Sequence, residues 1–107
     1  DVSRSFNSQT DEEINHWQSA TTMNRRRLLR RLAQGSLNNV SFGDMVNLVE
    51  GFGFLRVRTA GSHYIFSHED IPELVNLQSV RGQAKPYQVR QFLRLVERYN
   101  LQLEDAE

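Results

Sequence analysis

Between Phe54 and Val80 the chain changes its hydrophobic period, and that change constrains the fold more than any other feature. Phe54 to Thr59 alternates at period two, with Leu55 and Val57 on one face and Phe54, Arg56 and Arg58 on the other. Ala60-Gly61 is a short turn signal. His63 to Ser67 then alternates again, His63 and Ile65 against Tyr64 and Phe66. After a connector, His68-Glu69-Asp70-Ile71-Pro72, a third run extends from Leu74 to Val80, with Leu74, Asn76 and Gln78 opposing Val75 and Leu77. Short alternating runs separated by turns predict a three-stranded antiparallel meander.

Helical spacing brackets the meander. Ser41, with Asp44 three residues on, reads as a helix start, and Phe42, Met45, Val46, Val49 and Phe52 recur at helical intervals before Gly51 and Gly53 end the run. Downstream, Arg81-Gly82-Gln83-Ala84 reads as a loop. Lys85-Pro86 opens a last helix, in which Val89, Phe92, Leu93 and Val96 are spaced i, i+3, i+4, i+7. An earlier helix over 24–34 carries Leu28, Leu29, Leu32 and Ala33 on one stripe, ringed by Arg25, Arg26, Arg27, Arg30 and Arg31, with Gly35 as its stop. That helix suits phosphate contact, and it equally suits a surface helix packed by its leucines. From Ser41 onward the order αβββα predicts an α+β domain of two layers, with helices on one face of the sheet and an Arg-rich helix in front.

A chain of 107 residues is enough for one such domain and not two. It has no cysteine, which excludes disulfides, a thiolate nucleophile and a zinc ribbon, and fits a reducing cytosol. No apolar run approaches the roughly 18 residues of a membrane span, and the start lacks the apolar stretch of a signal peptide. Formal net charge is zero, but unevenly spread. Residues 1–22 hold one basic and four acidic side chains, a net of −3, so the remainder is +3. Of the 13 basic residues only Lys85 is lysine. Arginine pairs bidentately with phosphate and stacks on bases, so the bias is compatible with RNA contact as well as with a solvated surface.

Residues 1–22 are expected to stand apart as an acidic segment: a leader, a cloning remnant or a fused partner peptide able to contact the basic face of the same or another chain. Thr10 and Glu13 read there as a helix cap, and Ile14 and Trp17 as a short apolar face. The domain proper is expected over 23–103, Met23 being a possible natural start, with an acidic, disordered tail over 104–107.

The run Gly61-Ser62-His63-Tyr64-Ile65-Phe66 carries the chemistry. An imidazole that opens a strand, beside a glycine turn and near spaced arginines, can face a phosphate and titrate near neutral pH. This run, the helix ending in Gly51-Phe52-Gly53-Phe54, the basic strand and the Lys85-Pro86 opening together resemble the HicA toxins of type II toxin–antitoxin systems. The resemblance covers Ser41 to Leu101, about 60 residues. It implies a fold like the double-stranded-RNA-binding domain, ribosome-independent mRNA cleavage, neutralisation by a HicB antitoxin, and an essential histidine at His63. The Arg-rich helix and residues 1–22 depart from the smallest members.

On this reading His63 is the general acid or base for attack of a ribose 2′-hydroxyl on its own phosphate. Arg56 or Arg58 holds the phosphate, with Lys85 at a helix start as a second candidate and Ser62 orienting the phosphate or its neighbour. Tyr64 can stack a base but lies on the opposite strand face from His63. Gly61 serves the turn, His68 is a turn residue and His16 has no assigned role. Three scattered histidines without a carboxylate cluster predict neither metal nor cofactor. The alternatives are a noncatalytic RNA-binding module and an antitoxin-binding module of the same fold.

Overall fold

Asn24 turns its side-chain oxygen onto the amides of Arg26 and Arg27, at 2.9 and 3.2 Å, and so caps α1 (Arg25–Ala33). The computed structural model describes residues 24–104; the expectations for 1–22 and for 105–107 lie outside the described residues. Of the leucine stripe on α1, Leu28 and Leu32 are buried. Two of its arginines are tied into the fold: Arg25 reaches the Asn47 carbonyl at 2.8 Å, and Arg31 donates to the Asn38 carbonyl. Ser41 caps α2 (Phe42–Gly51) through the Asp44 amide, as its spacing predicts, and Met45, Leu48 and Val49 point inward.

Four antiparallel strands follow in spatial order β1 (Leu55–Ala60), β2 (His63–His68), β3 (Ile71–Val80) and β4 (Gln83–Ala84). Each connection is a two-residue turn. Gly61, at φ +61°, takes the first central position of the β1–β2 turn, where a type II′ hairpin needs a positive φ. A Cβ there would meet nothing within 4 Å, so the demand is conformational and not steric. Arg81 (φ +54°) and Gly82 (φ +78°) give the β3–β4 turn its type I′ shape.

The sheet therefore has four strands, not the three its alternation predicts. Gln83-Ala84, read as loop, pairs with Ser79-Val80. It also pairs with the approach to α2: Ala84 donates to the Val40 carbonyl at 2.9 Å and Phe42 to the Gly82 carbonyl at 2.8 Å. Two residues cannot show a period, so the strand has no sequence signature. β3 likewise starts at Ile71, inside the predicted connector. Pro72 is tolerated there because β4 covers the outer edge of β3 only at Ser79 and Val80.

α3 (Pro86–Arg98) completes a small α+β domain, with three helices among the described residues. The core lies between the helices and one sheet face, joining Leu28 and Leu32 of α1, Met45 and Leu48 of α2 and Val89 and Phe92 of α3 to Phe66, Val75 and Leu77. Phe52, Phe54 and Phe92 meet edge-to-face, with centroids 5.5 and 5.7 Å apart. Past α3, Leu101 and Leu103 pack against the core, and the Glu104 amide donates to the Gly51 carbonyl at 2.7 Å. The first residue of the expected tail is thus held, not loose. The opposite sheet face is open: Leu55 is 72% and Leu74 60% exposed.

Candidate functional site

Pairing across β1 and β2 decides which side chains share that open face. Ala60 lies opposite His63 and Arg58 opposite Ile65, but Arg56 lies opposite Phe66. The step from Arg58 to Arg56 on β1 is thus matched by only one residue on β2, which makes Val57 a bulge. Directly paired residues point to the same side. Arg58 therefore shares the open face with His63, while Arg56 turns to the helix side, its guanidinium 5.2 Å from the centre of the Tyr64 ring. Alternation put Arg56 and Arg58 on one strand face; the register separates them, and of the two only Arg58 lies on the face of His63. The reason is physical: in unbroken alternation, burying Phe54 would draw both arginines over the helices, and the extra residue turns Arg58 back to the open side.

His63 is half-buried, with its Nδ1 3.3 Å from Asn76 Oδ1. Its directly paired residue on β3 is Gln78. The Ser79 amide donates to the Ser62 carbonyl at 3.0 Å, so His63 and Gln78 form a pair not itself hydrogen-bonded, the kind whose side chains approach most closely. Arg58 lies diagonally across from His63, roughly 7–8 Å away at the backbone, within the reach of an arginine.

Gln78 links the remaining candidates. The Lys85 ammonium has only hydrogens to offer, so the Gln78 end 3.3 Å from it is the oxygen. The amide nitrogen then faces Ser62 Oγ, at 3.5 Å, the long limit of such a bond. Ser62 Oγ accepts there, which leaves its own hydrogen available for a phosphate oxygen. Gln88, 4% exposed, anchors the group from behind: its Oε1 accepts the Gln78 amide at 2.7 Å. Before Ser79 the outer edge of β3 is not covered by β4, and this side chain takes the strand's place at Gln78. Lys85 is the N-cap of α3 without capping it by a side chain, and its ammonium also lies 5.3 Å from the Tyr87 ring centre.

His63, Ser62, Lys85 and Arg58 are thus gathered at one end of the sheet, with Gly61 shaping the turn beside them. Tyr64 faces the helices, edge-to-face with Phe42 at 4.9 Å. Asn76, Gln78 and Gln88 complete the group and were not singled out in the sequence. Alternation placed Asn76 and Gln78 on one strand face, but only the register set that face beside His63.

The opposite end of the sheet has a different character. The His68 ring accepts the Asp70 amide through Nδ1 at 3.0 Å, which makes it the turn residue its sequence suggested. It lines an open cleft with Glu50, Glu69, Asp70 and Glu104. Nearby, Glu73 receives the Tyr99 hydroxyl at 2.7 Å and the Arg98 guanidinium at 2.9 Å. The Tyr99 hydrogen bond, helped by a backbone amide and the Arg98 charge, holds the Glu73 carboxyl below its ordinary range. The same bond, with partial desolvation, raises the Tyr99 phenol. Among the described residues no three His, Asp or Glu side chains gather as a metal site, and no helix is long and apolar enough to cross a membrane.

Compared with known proteins, the chain matches no family model, no curated protein and no solved structure.

Proposed function

We propose that this protein is an endoribonuclease of the HicA toxin kind, a ribosome-independent mRNA interferase that cuts with His63. One observation carries the reading: a partly exposed imidazole on the open sheet face, with Arg58 diagonal to it and Ser62 and Lys85 joined through Gln78. On this reading α2, the β1–β3 meander and α3 form a core like the double-stranded-RNA-binding domain, to which α1 and β4 are added.

A ribose phosphate lies across the end of the sheet. His63 takes the proton from the 2′-hydroxyl, and the 2′-oxygen attacks the adjacent phosphorus. The bond from phosphorus to the 5′-oxygen breaks and the leaving oxygen takes a proton from water, giving a cyclic phosphate and a 5′-hydroxyl, while His63 returns its proton to solvent. Arg58 and Lys85 offset the negative charge that grows on the phosphorane, and Ser62 donates to one of its oxygens. With a single histidine supplying general acid–base catalysis, turnover is slow. The natural partners are mRNA and a HicB-like antitoxin protein, in the cytoplasm where mRNA is found.

The test is RNA degradation by the purified chain beside His63→Ala. Cleavage by the first and none by the second supports the proposal; equal activity in both, or none in either, removes it. The exposed Leu55 and Leu74 on the same open sheet face favour a second reading, a noncatalytic module that docks RNA or an antitoxin on that face. It predicts salt-sensitive binding that is indifferent to His63→Ala and unaccompanied by cleavage.

A further inference from the structure

The contact between His63 and Asn76 has a direction. A neutral imidazole carries one hydrogen, and the partner of each ring nitrogen decides where it sits. Asn76 presents its oxygen to Nδ1 at 3.3 Å. An amide oxygen only accepts, so Nδ1 must donate, and Nε2 is left with its lone pair. The reversed amide, with nitrogen toward the ring, would serve only while Nδ1 is bare. A ring that takes up a proton during each turnover would lose that bond every time. The oxygen-facing arrangement survives both states and strengthens when the ring becomes charged.

His68 shows the opposite choice within the same strand. It accepts the Asp70 amide through Nδ1, which puts its hydrogen on Nε2. The two histidines at the ends of β2 are therefore held as opposite tautomers, one by a side-chain acceptor and the other by a backbone donor.

We infer that Asn76 is a positioning residue, holding His63 as the Nδ1–H tautomer and presenting Nε2 to substrate as the proton acceptor. The inference deepens the nuclease reading and rests on it. Among the described residues, those the strand pairing places on the side of His63 include Arg58 from β1 and the uncharged Asn76 and Gln78 from β3, with Lys85 joined through Gln78. Asn76 Oδ1 is the acceptor that can bond Nδ1–H both in the neutral ring and in the imidazolium formed in the reaction.

The experiment is nitrogen-15 NMR of the ring, recorded through a pH titration of the full chain, with Asn76→Leu and Asn76→Asp beside wild type and RNA cleavage measured on each. Asn76 is exposed, so neither change disturbs the core. The expected result is a dominant Nδ1–H signal in the wild type that is lost in Asn76→Leu. Asn76→Asp keeps an oxygen acceptor at Nδ1, so the Nδ1–H signal is retained there. Asn76→Leu lowers kcat about tenfold with KM for RNA little changed, the scale of a lost orienting partner. A dominant Nε2–H signal in the wild type, or a tautomer ratio untouched by Asn76→Leu, overturns the inference even if RNA is cut. Conversely, an Nδ1–H signal in a chain that cuts no RNA upholds the tautomer and removes the nuclease.

Discussion

Replacing Gln88 by leucine tests whether this side chain substitutes for the missing end of a strand. Gln88 is nearly sealed from solvent, and its oxygen takes the Gln78 amide at 2.7 Å, where β4 no longer covers β3. Leucine is close in size, so packing is largely kept and the loss is the acceptor. A buried amide left without a partner costs about 1–3 kcal/mol. Taking about 2 kcal/mol, and about 4–8 °C per kcal/mol for a domain of this size, the melting temperature falls by roughly 8–16 °C. The same energy is roughly a thirtyfold change in the opening equilibrium at that site, so the Gln78 amide should exchange with solvent correspondingly faster. Gln88→Glu keeps an acceptor and places a negative charge in the first turn of α3, which the helix dipole favours, so the Gln78 amide stays protected. Thermal melts and amide exchange on the three proteins give the answer. A Gln88→Leu protein that melts within about 2 °C of wild type, with the Gln78 amide exchanging no faster, would refute the reasoning.

Other expectations can be checked by similar means. Phe66→Ala empties a fully buried aromatic position and should cost about 3–5 kcal/mol in urea melts. Arg81→Asn replaces an arginine held at φ +54° with a residue that tolerates that conformation, and should stabilise the fold by roughly 0.5–1 kcal/mol. The Glu73 carboxyl titrates lower in the folded protein than its ordinary 4.5, so its contribution is fully present above that value and is lost as pH falls through the folded value. Glu73→Gln should therefore lower the melting temperature near pH 6, with the gap to wild type closing in acid. If Arg58 alone of the β1 pair meets phosphate, Arg58→Ala should reduce the salt slope of single-stranded RNA binding by about 0.7, while Arg56→Ala leaves it unchanged.

Much of the architecture was legible because burial repeats at the period of each element. Val75 and Leu77 alternate with polar or exposed neighbours, and Val89 and Phe92 keep helical spacing, so their inward faces could be read directly. The Ser41 cap was legible because its partner sits three residues away. What escaped has no local trace. Leu55-Arg56-Val57-Arg58 alternates perfectly by itself, and the bulge arises only because Phe54 at one end must enter the core while Arg58 at the other turns away from it. β4 exists through its partners on β3 and before α2. In the candidate site His63, Ser62 and Lys85 stood out by residue type and neighbourhood. Asn76 and Gln88 acquire meaning only from what lies across the sheet or behind it.

The same bulge has a bearing on solubility. Among the described residues β1 is an edge strand paired with β2 alone, and all six of its residues are exposed, Leu55 and Val57 among them. A flat ribbon of that kind invites a second molecule to add itself, strand upon strand. One inserted residue twists the rim out of register with any such neighbour, and the two guanidinium groups, thrown to opposite sides, repel a stacking copy from above and from below. Deleting Val57 would thus do more than misplace a cation: it would flatten the rim and give self-association a template.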